Sequence, residues 1–405
     1  MEARSKVVIV PCNSYDREKV YRAVKAGVDA LGGIAAFIKH EEKVLVKPNY
    51  LTAADADKAV TTHPAVIEAV LRLVSEYGCA DISCGDSPGH GKGEVVHARL
   101  GLNEVMEKYG VRPAEMNEEV LTDFPEGMTA KRFYFAKEIT QADAIINVCK
   151  MKTHALERIT GAVKNVYGFI CGVRKAAGHV SYPNPMAFAR MLADIHRATD
   201  IRLNIMDGVV AMEGNGPGSG DPTPMNVLLF SADPVALDAT YCRLVHLEPW
   251  SVPTCGQGQI MGIGTYEEDK IGLLLAEPAE DRAEAEDGGE TAENAAPRIT
   301  PIDTAALVSR FGNPDFNVDR RAANSGGKWG FRIGILNRFS KRPYIDKKAC
   351  VKCGVCVQHC PVPDKAVNFT KGKDKPPVYD YSRCIRCYCC QEMCPQHAIH
   401  VKKGI

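Results

Sequence analysis

The sequence predicts an α/β domain with a mostly parallel sheet and helices on both faces, followed by a small cysteine-rich domain. Three observations carry that prediction. From Met1 to about Asn313, short β-like apolar runs alternate with helical stretches, the pattern of units that feed a parallel sheet. Eight of the sixteen cysteines fall into two copies of one spacing, packed into the last 56 residues. A chain of 405 residues also exceeds what one core usually serves, so two or three units are expected.

The elements follow in order. Val7–Val10 reads as a strand. Glu18–Leu31 reads as a helix, with Val20, Val24, Val28 and Leu31 on one stripe and Gly32-Gly33 ending it. Lys43–Lys47 is a strand, Pro64–Tyr77 an amphipathic helix closed by Gly78, and Asp81–Cys84 and Ala144–Cys149 are strands. Pro185–Thr199 is a helix, Arg202–Met206 and Val227–Phe230 are strands, Val235–Val245 is a helix and Lys270–Ala276 a late strand.

In such sheets function sits in the loops past the carboxyl ends of the strands. Polar signatures lie there: Lys47-Pro48-Asn49, Gly85-Asp86-Ser87-Pro88-Gly89, Lys150-Met151-Lys152-Thr153-His154, Thr160-Gly161-Ala162-Val163-Lys164-Asn165, Asp207-Gly208 and Met212-Glu213-Gly214-Asn215-Gly216-Pro217. Lys47, Lys150, Lys152 and Lys164 form a cationic set suited to a small anionic substrate, with Asn49, Asp86 and Asn165 beside it. Asp207, Glu213 and His154 are the candidates for proton transfer. The carboxylates, with Asp233, Asp238 and His63, also offer a place for a divalent metal. Asp233 before Pro234 reads equally as a helix N-cap. Neither glycine-rich turn matches a phosphate-binding P-loop or a dinucleotide fingerprint.

These motifs, with Thr61-Thr62-His63-Pro64 and Asp233-Pro234, resemble the domain-of-unknown-function family numbered 362. The resemblance spans about residues 6 to 313. It implies an α/β domain, often followed by a ferredoxin-type segment, and carries no settled reaction.

The cysteine runs are Cys350, Cys353, Cys356, Cys360 with Pro361, and Cys384, Cys387, Cys390, Cys394 with Pro395. This C-x2-C-x2-C-x3-C-P run holds [4Fe–4S] clusters, and in two-cluster proteins its fourth cysteine serves the other cluster. Cys350, Cys353, Cys356 and Cys394 are therefore assigned to cluster 1, and Cys384, Cys387, Cys390 and Cys360 to cluster 2. Cys389 falls off the spacing and is left free. Zinc sites and disulfide frameworks fit the pattern poorly. The segment from about Tyr344 to Ile405 resembles the two-cluster bacterial ferredoxins, which implies a small α+β domain of βαββαβ type. The expected organisation is 1–313, a basic linker over 314–343, and 344–405.

Composition narrows the classes. Hydrophobic content of 45%, charged content of 25% and zero net charge describe a globular chain with no bulk attraction for nucleic acid or a membrane surface. No apolar run reaches membrane-spanning length, and the absence of an export signal with many thiols predicts a cytoplasmic protein. Eight acidic residues against Arg282 within 277–294 read as an inserted loop, taken as about 277–298. The expected function is an oxidoreductase that passes electrons from a soluble carrier protein to a small anionic substrate in the α/β domain. A cluster-carrying binding module and a non-redox enzyme with structural clusters are the alternatives.

Overall fold

The computed structural model describes residues 4–89, 91–172, 174–279, 296–321 and 341–403. The large domain holds strands β1 (Ser5–Pro11), β2 (Lys43–Lys47), β3 (Asp81–Cys84), β4 (Arg112–Pro113), β5 (Glu119–Asp123), β6 (Arg132–Ala136), β7 (Ala144–His154), β8 (Arg158–Thr160), β9 (Ile201–Glu213), β10 (Asp221–Ser231), β11 (Ile271–Glu277) and β12 (Arg298–Pro301). Ten of them form one sheet of order β12-β11-β1-β10-β9-β7-β2-β3-β4, with β8 folded back on β7. The β11–β1, β9–β7, β7–β2, β2–β3 and β3–β4 pairs are parallel. The remaining pairs of the sheet are antiparallel.

The helices are α1 (Arg17–Ala30), α2 (Pro64–Tyr77), α3 (Gly93–Leu100), α4 (Leu102–Lys108), α5 (Lys137–Gln141), α6 (Ala162–Asn165), α7 (Arg174–Ser181), α8 (Pro185–Arg197), α9 (Pro234–Leu244), α10 (Pro253–Ile260) and α11 (Thr304–Phe311). Strand alternation sorts them onto two faces. Val8, Val10, Val44 and Val46 share a core with Val20 and Val24 of α1 and Val66 and Val70 of α2. Val7, Ile9 and Leu45 share the opposite core with Phe188 and Leu192 of α8 and Leu237 and Tyr241 of α9. Helix starts are chemically marked: His63 caps α2 and Asn184 caps α8, each followed by proline. Asp233 accepts from the N–H groups of Val235 and Ala236 at 2.8 Å each, so it caps α9.

Two strands run further than the sequence suggests. β7 continues through Lys150, Lys152 and His154, and β9 through Met212 and Glu213. These polar residues read as loop, yet all eleven positions of β7 are buried. Pairing explains the extension, because Lys150 and Lys152 still pair with β9, while Lys152, Thr153 and His154 pair with β8. The candidate residues of β7 therefore stand on a rigid arm rather than in a loop.

The acidic insertion lies between Glu277 and Arg298, which pair across β11 and β12, and residues 280–295 fall outside the described residues. Residues 314–321, read as the start of a linker, pack on the α/β domain: Phe316 is fully buried, and Asn317 exchanges hydrogen bonds with Gly214 and Glu213. Residues 322–340 of that linker fall outside the described residues. The C-terminal domain runs β13 (Lys341–Ile345), helix Val355–Gln358, β14 (Val367–Asn368), β15 (Val378–Tyr379), helix Cys389–Glu392 and β16 (Ile399–Lys403), the expected βαββαβ order. No helix among the described residues is long and apolar enough to cross a membrane.

The two domains meet at helix Cys389–Glu392. The buried Gln391 amide donates to Asn215 O at 2.8 Å, and to Asn215 Oδ1 and Gly216 O at 3.2 Å. Asn215 Nδ2 donates to Ile399 O at 3.0 Å, and His397 Nδ1 lies 2.7 Å from Ser219 Oγ. The cap on α9 yields a first prediction: Asp233→Ala lowers stability by about 1–2 kcal/mol, read as a fall in unfolding midpoint against the native protein.

Candidate functional site

The cysteines form two separate cradles. One hollow is lined by Cys350, Cys353, Cys356 and Cys394, the other by Cys360, Cys384, Cys387 and Cys390. Each takes three cysteines from one run and the fourth from the other. Burial, with Cys394, Cys350 and Cys353 around it, pushes the Cys356 thiol up to about 12. Four thiolates this close need a cationic core to hold them, and an iron–sulfur cube supplies that charge. Among the described residues, no three His, Cys, Asp or Glu side chains stand ready to grip a single metal ion. This leaves the divalent metal expected at the carboxylates without support, because those carboxylates are already engaged by protein groups, as detailed below. Cys389 is buried beside Cys387, off both cradles.

A cavity of about 520 Å³ lies between the domains, within the usual range for small-molecule sites. Asn49, Lys152, Thr160, Lys164, Asn165, Lys175 and His179 line its α/β side, and Cys360, Lys365, Cys389, Glu392 and Met393 its cluster side. Cys360 thus borders both this cavity and the second cradle.

A chain of hydrogen bonds fixes the α/β wall. Lys152 Nζ donates to Asn49 Oδ1 at 2.7 Å and to Val60 O at 2.6 Å. Asn49 Nδ2 donates to Asn165 Oδ1 at 2.9 Å, and Asn165 Nδ2 to Asn147 Oδ1 at 2.7 Å. Asn147 Nδ2 donates to Asn204 Oδ1 at 2.8 Å. Each amide is both donor and acceptor, so one orientation satisfies the series. Asp238 holds the Lys164-bearing turn from below, accepting from the N–H groups of Ala162 at 2.6 Å and Val163 at 3.1 Å. Lys47 and Asp86 form a buried pair at 3.0 Å beneath Gly168, a wall residue. A Cβ on Gly168 would fall 1.9 Å from Asp86 Oδ1, so only glycine allows this approach.

Charge is uneven here. Lys47 has Asp86, and Lys150 has Asp207 at 2.7 Å. Lys152 is bound only by neutral oxygens, and burial and then neighbouring Lys164 pull its pKa well below the ordinary lysine value. Burial lowers Lys175 to about 8. Lys164 makes no hydrogen bond or ion pair among the described residues, though it stands near Lys152, His154 and Glu392. On the cluster side of the cavity, Glu392 Oε1 lies 2.9 Å from His154 Nε2. His154 Nδ1 accepts from the N–H groups of Leu156 and Glu157, so its proton sits on Nε2, which lies near Glu392 Oε1 without hydrogen-bond alignment. Burial and then Lys164 lower His154 to about 4, leaving it neutral. Burial alone would raise the Glu392 carboxyl, but His154, Lys164 and His179 hold it below the usual carboxylate range.

The structure therefore brings Asn49, Lys152, Lys164 and Asn165 to one cavity, with Lys47 and Asp86 under its floor and His154 behind Glu392. It does not bring Lys150, Asp207 or Glu213 there. Asp207 binds Lys150, the Tyr15 hydroxyl at 2.9 Å and the His63 N–H at 2.9 Å, a closed set away from the cavity wall. Glu213 accepts from Asn317 N at 2.8 Å and fastens the 313–321 segment. Sequence reasoning missed Lys175, His179, Thr160 and Glu392. Lys175 and His179 lie on α7, which the sequence reading did not anticipate. Glu392 is an acidic residue inside a cysteine run, a signal that was there to be read.

Comparison with known proteins places the chain. Residues 44–243 match the family described as Domain of unknown function (DUF362), and residues 342–395 match the 4Fe-4S dicluster domain. A thylakoid-associated protein of Synechocystis sp. is 31% identical over 258 residues, 64% of this chain and 79% of that protein. The chain belongs to the DUF362 family. Its family domain is joined to a 4Fe–4S dicluster domain whose cysteines fit two clusters. Two solved structures are distantly similar to this DUF362 chain. The lactate racemase apoprotein from Thermoanaerobacterium thermosaccharolyticum has a TM-score of 0.40 and 13% identity, covering 59% of this chain and 56% of that one. A Thermotoga maritima protein has a TM-score of 0.35 and 14% identity, covering 60% and 59%. The chain thus spans less than two thirds of either structure.

Two predictions follow from this geometry. Cys389→Ser retains the full iron complement, whereas Cys390→Ser loses about four irons per chain, as iron and sulfide analysis would show. Buried His154 and His179 both sit at about 4 in the fold against an ordinary 6.5. The unfolded chain therefore binds protons first, and stability is full above about 6.5 and falls as pH drops towards 4. In His179→Phe, the pH dependence of unfolding across that window becomes measurably shallower.

Proposed function

We propose that this protein is an iron–sulfur oxidoreductase that passes electrons between a soluble carrier and a small anionic substrate held in the interdomain cavity. One observation carries the reading: Cys360 borders both the second cluster cradle and the cavity, so a bound molecule sits against a cluster ligand. The clusters supply one-electron chemistry. Lys164 and Lys175 hold the anion as point charges. Lys152 is kept in place by Asn49 and Val60, and His154 orients the Glu392 carboxylate from behind. Electrons enter at cluster 1, whose Cys353 is exposed. Sixteen cysteines, with no disulfide among the described residues, suit a reducing compartment such as the cytoplasm.

The test uses the dithionite-reduced holoprotein under anaerobic conditions, with a panel of small anions that carry a reducible group, such as 2-oxo and unsaturated carboxylates, as oxidants. The expected result is reoxidation of the visible cluster absorbance by one of them. Lys164→Ala should raise the half-saturating anion concentration about tenfold or more, the loss of one charged hydrogen bond. Cys384→Ser, which disrupts the second cradle, should abolish reoxidation while cluster 1 stays reducible. Equal reoxidation in Cys384→Ser would overturn the proposal.

A further inference from the structure

Charge is segregated along this chain although it sums to zero. Residues 341–405 carry thirteen basic and five acidic side chains, a net +8, and the rest of the chain carries the balancing −8. The dicluster domain is therefore a cationic body on an anionic one.

Its basic groups are not evenly placed around the two clusters. The second cradle faces inward, and its Cys360, Cys387 and Cys390 are buried. The first cradle faces outward. Cys353 is exposed and Cys350 half-buried. The loop that carries them presents Lys347, Lys348 and Lys352, all exposed. Val351, between the two cysteines, is 59% exposed. Lys352 takes a left-handed conformation at φ 63° as the chain turns into Cys353. The 369–375 loop lies alongside, since Phe369 stands 3.4 Å from where a Cβ on Gly354 would be. It adds the exposed Lys371, Lys373 and Lys375 against the single Asp374. None of these six lysines is in an ion pair among the described residues. Unpaired charges of one sign around an exposed apolar residue form a surface that steers an oppositely charged partner.

We infer that the Lys347–Cys353 rim of cluster 1 is the docking face for an acidic one-electron carrier protein. The inference rests on the reading above that electrons enter at cluster 1, and it adds the chemistry of the donor and the place it binds. Val351 supplies the dry centre of the contact, and the lysines supply the polar rim that sets encounter rate and orientation. In the exchange one electron leaves the carrier's redox centre and enters cluster 1; no bond or proton moves. None of Lys347, Lys348, Val351, Lys352 and Cys353 lines the interdomain cavity, and all five stay exposed with the domains docked.

The experiment uses the oxidised holoprotein and an oxidised plant-type ferredoxin, an acidic carrier, with no small-molecule substrate present. Binding is followed by titration calorimetry, and contacts are mapped by carbodiimide cross-linking of lysines to carboxylates. Expected are cross-links at Lys347, Lys348 or Lys352, and an affinity that falls at least about tenfold between roughly 0.01 and 0.2 M salt. The triple variant Lys347→Glu, Lys348→Glu, Lys352→Glu should weaken binding about tenfold or more, with the iron content and dithionite reduction unchanged. Should that variant lose cluster 1, Lys347→Glu, outside the cysteine run, with the native salt dependence decides the matter. Salt-insensitive binding, cross-links confined to other faces, or unchanged affinity in the charge-reversed protein would each overturn the inference. Because no cavity ligand is present, these outcomes are independent of whether the cavity takes an anionic substrate.

Discussion

The fit of helix Cys389–Glu392 against the strand arms is the constraint on which the rest depends. Gln391 is buried, and its amide reaches three oxygens of Asn215 and Gly216 only when the domains are docked. A buried amide left without partners costs about 1–3 kcal/mol, so the seating is specific rather than merely adhesive. Glycines permit it. A Cβ on Gly216 would fall 2.3 Å from Thr153 O, and one on Gly218 would fall 3.1 Å from Glu392 O. Once seated, the helix closes the cavity, sets Glu392 against His154 and turns the second cradle towards the α/β domain.

The α/β side of that cavity is shaped by how buried charge is compensated. Taking an ammonium out of water costs several kcal/mol unless it is paired. Lys47 and Lys150 meet that cost with Asp86 and Asp207 and serve as struts. Lys152 has no carboxylate, only two neutral oxygens, and its amine is driven towards the uncharged state. Lys164 lines the cavity and makes no hydrogen bond or ion pair among the described residues. Lys152 and Lys164 thus differ from Lys47 and Lys150 in having no carboxylate ion pair among the described residues.

Much of the fold was legible. β2, β3 and α2 stand where apolar runs, proline and glycine place them, because those signals are local. β7 and β9 were cut short, since Lys150, Lys152, His154 and Glu213 look like solvent-facing residues until their cross-strand partners are known. About half of the candidate site was legible for the same reason. Lys152, Lys164, Asn49 and Asn165 meet at the cavity, while Asp207 of similar appearance is spent on Lys150, Tyr15 and His63. The amide series through Asn147 and Asn204 carried no sequence motif at all.

By itself the sequence determined the cluster-binding runs and the alternation of strands and helices. Each is written in residues a few positions apart, where bond geometry and side-chain reach are enough. Only the tertiary structure decided which charges are neutralised, that Cys360 borders both a cradle and the cavity, and that Glu392 faces His154 across 238 residues of chain. Those outcomes depend on through-space distances and on water exclusion, which a linear order of residues does not encode.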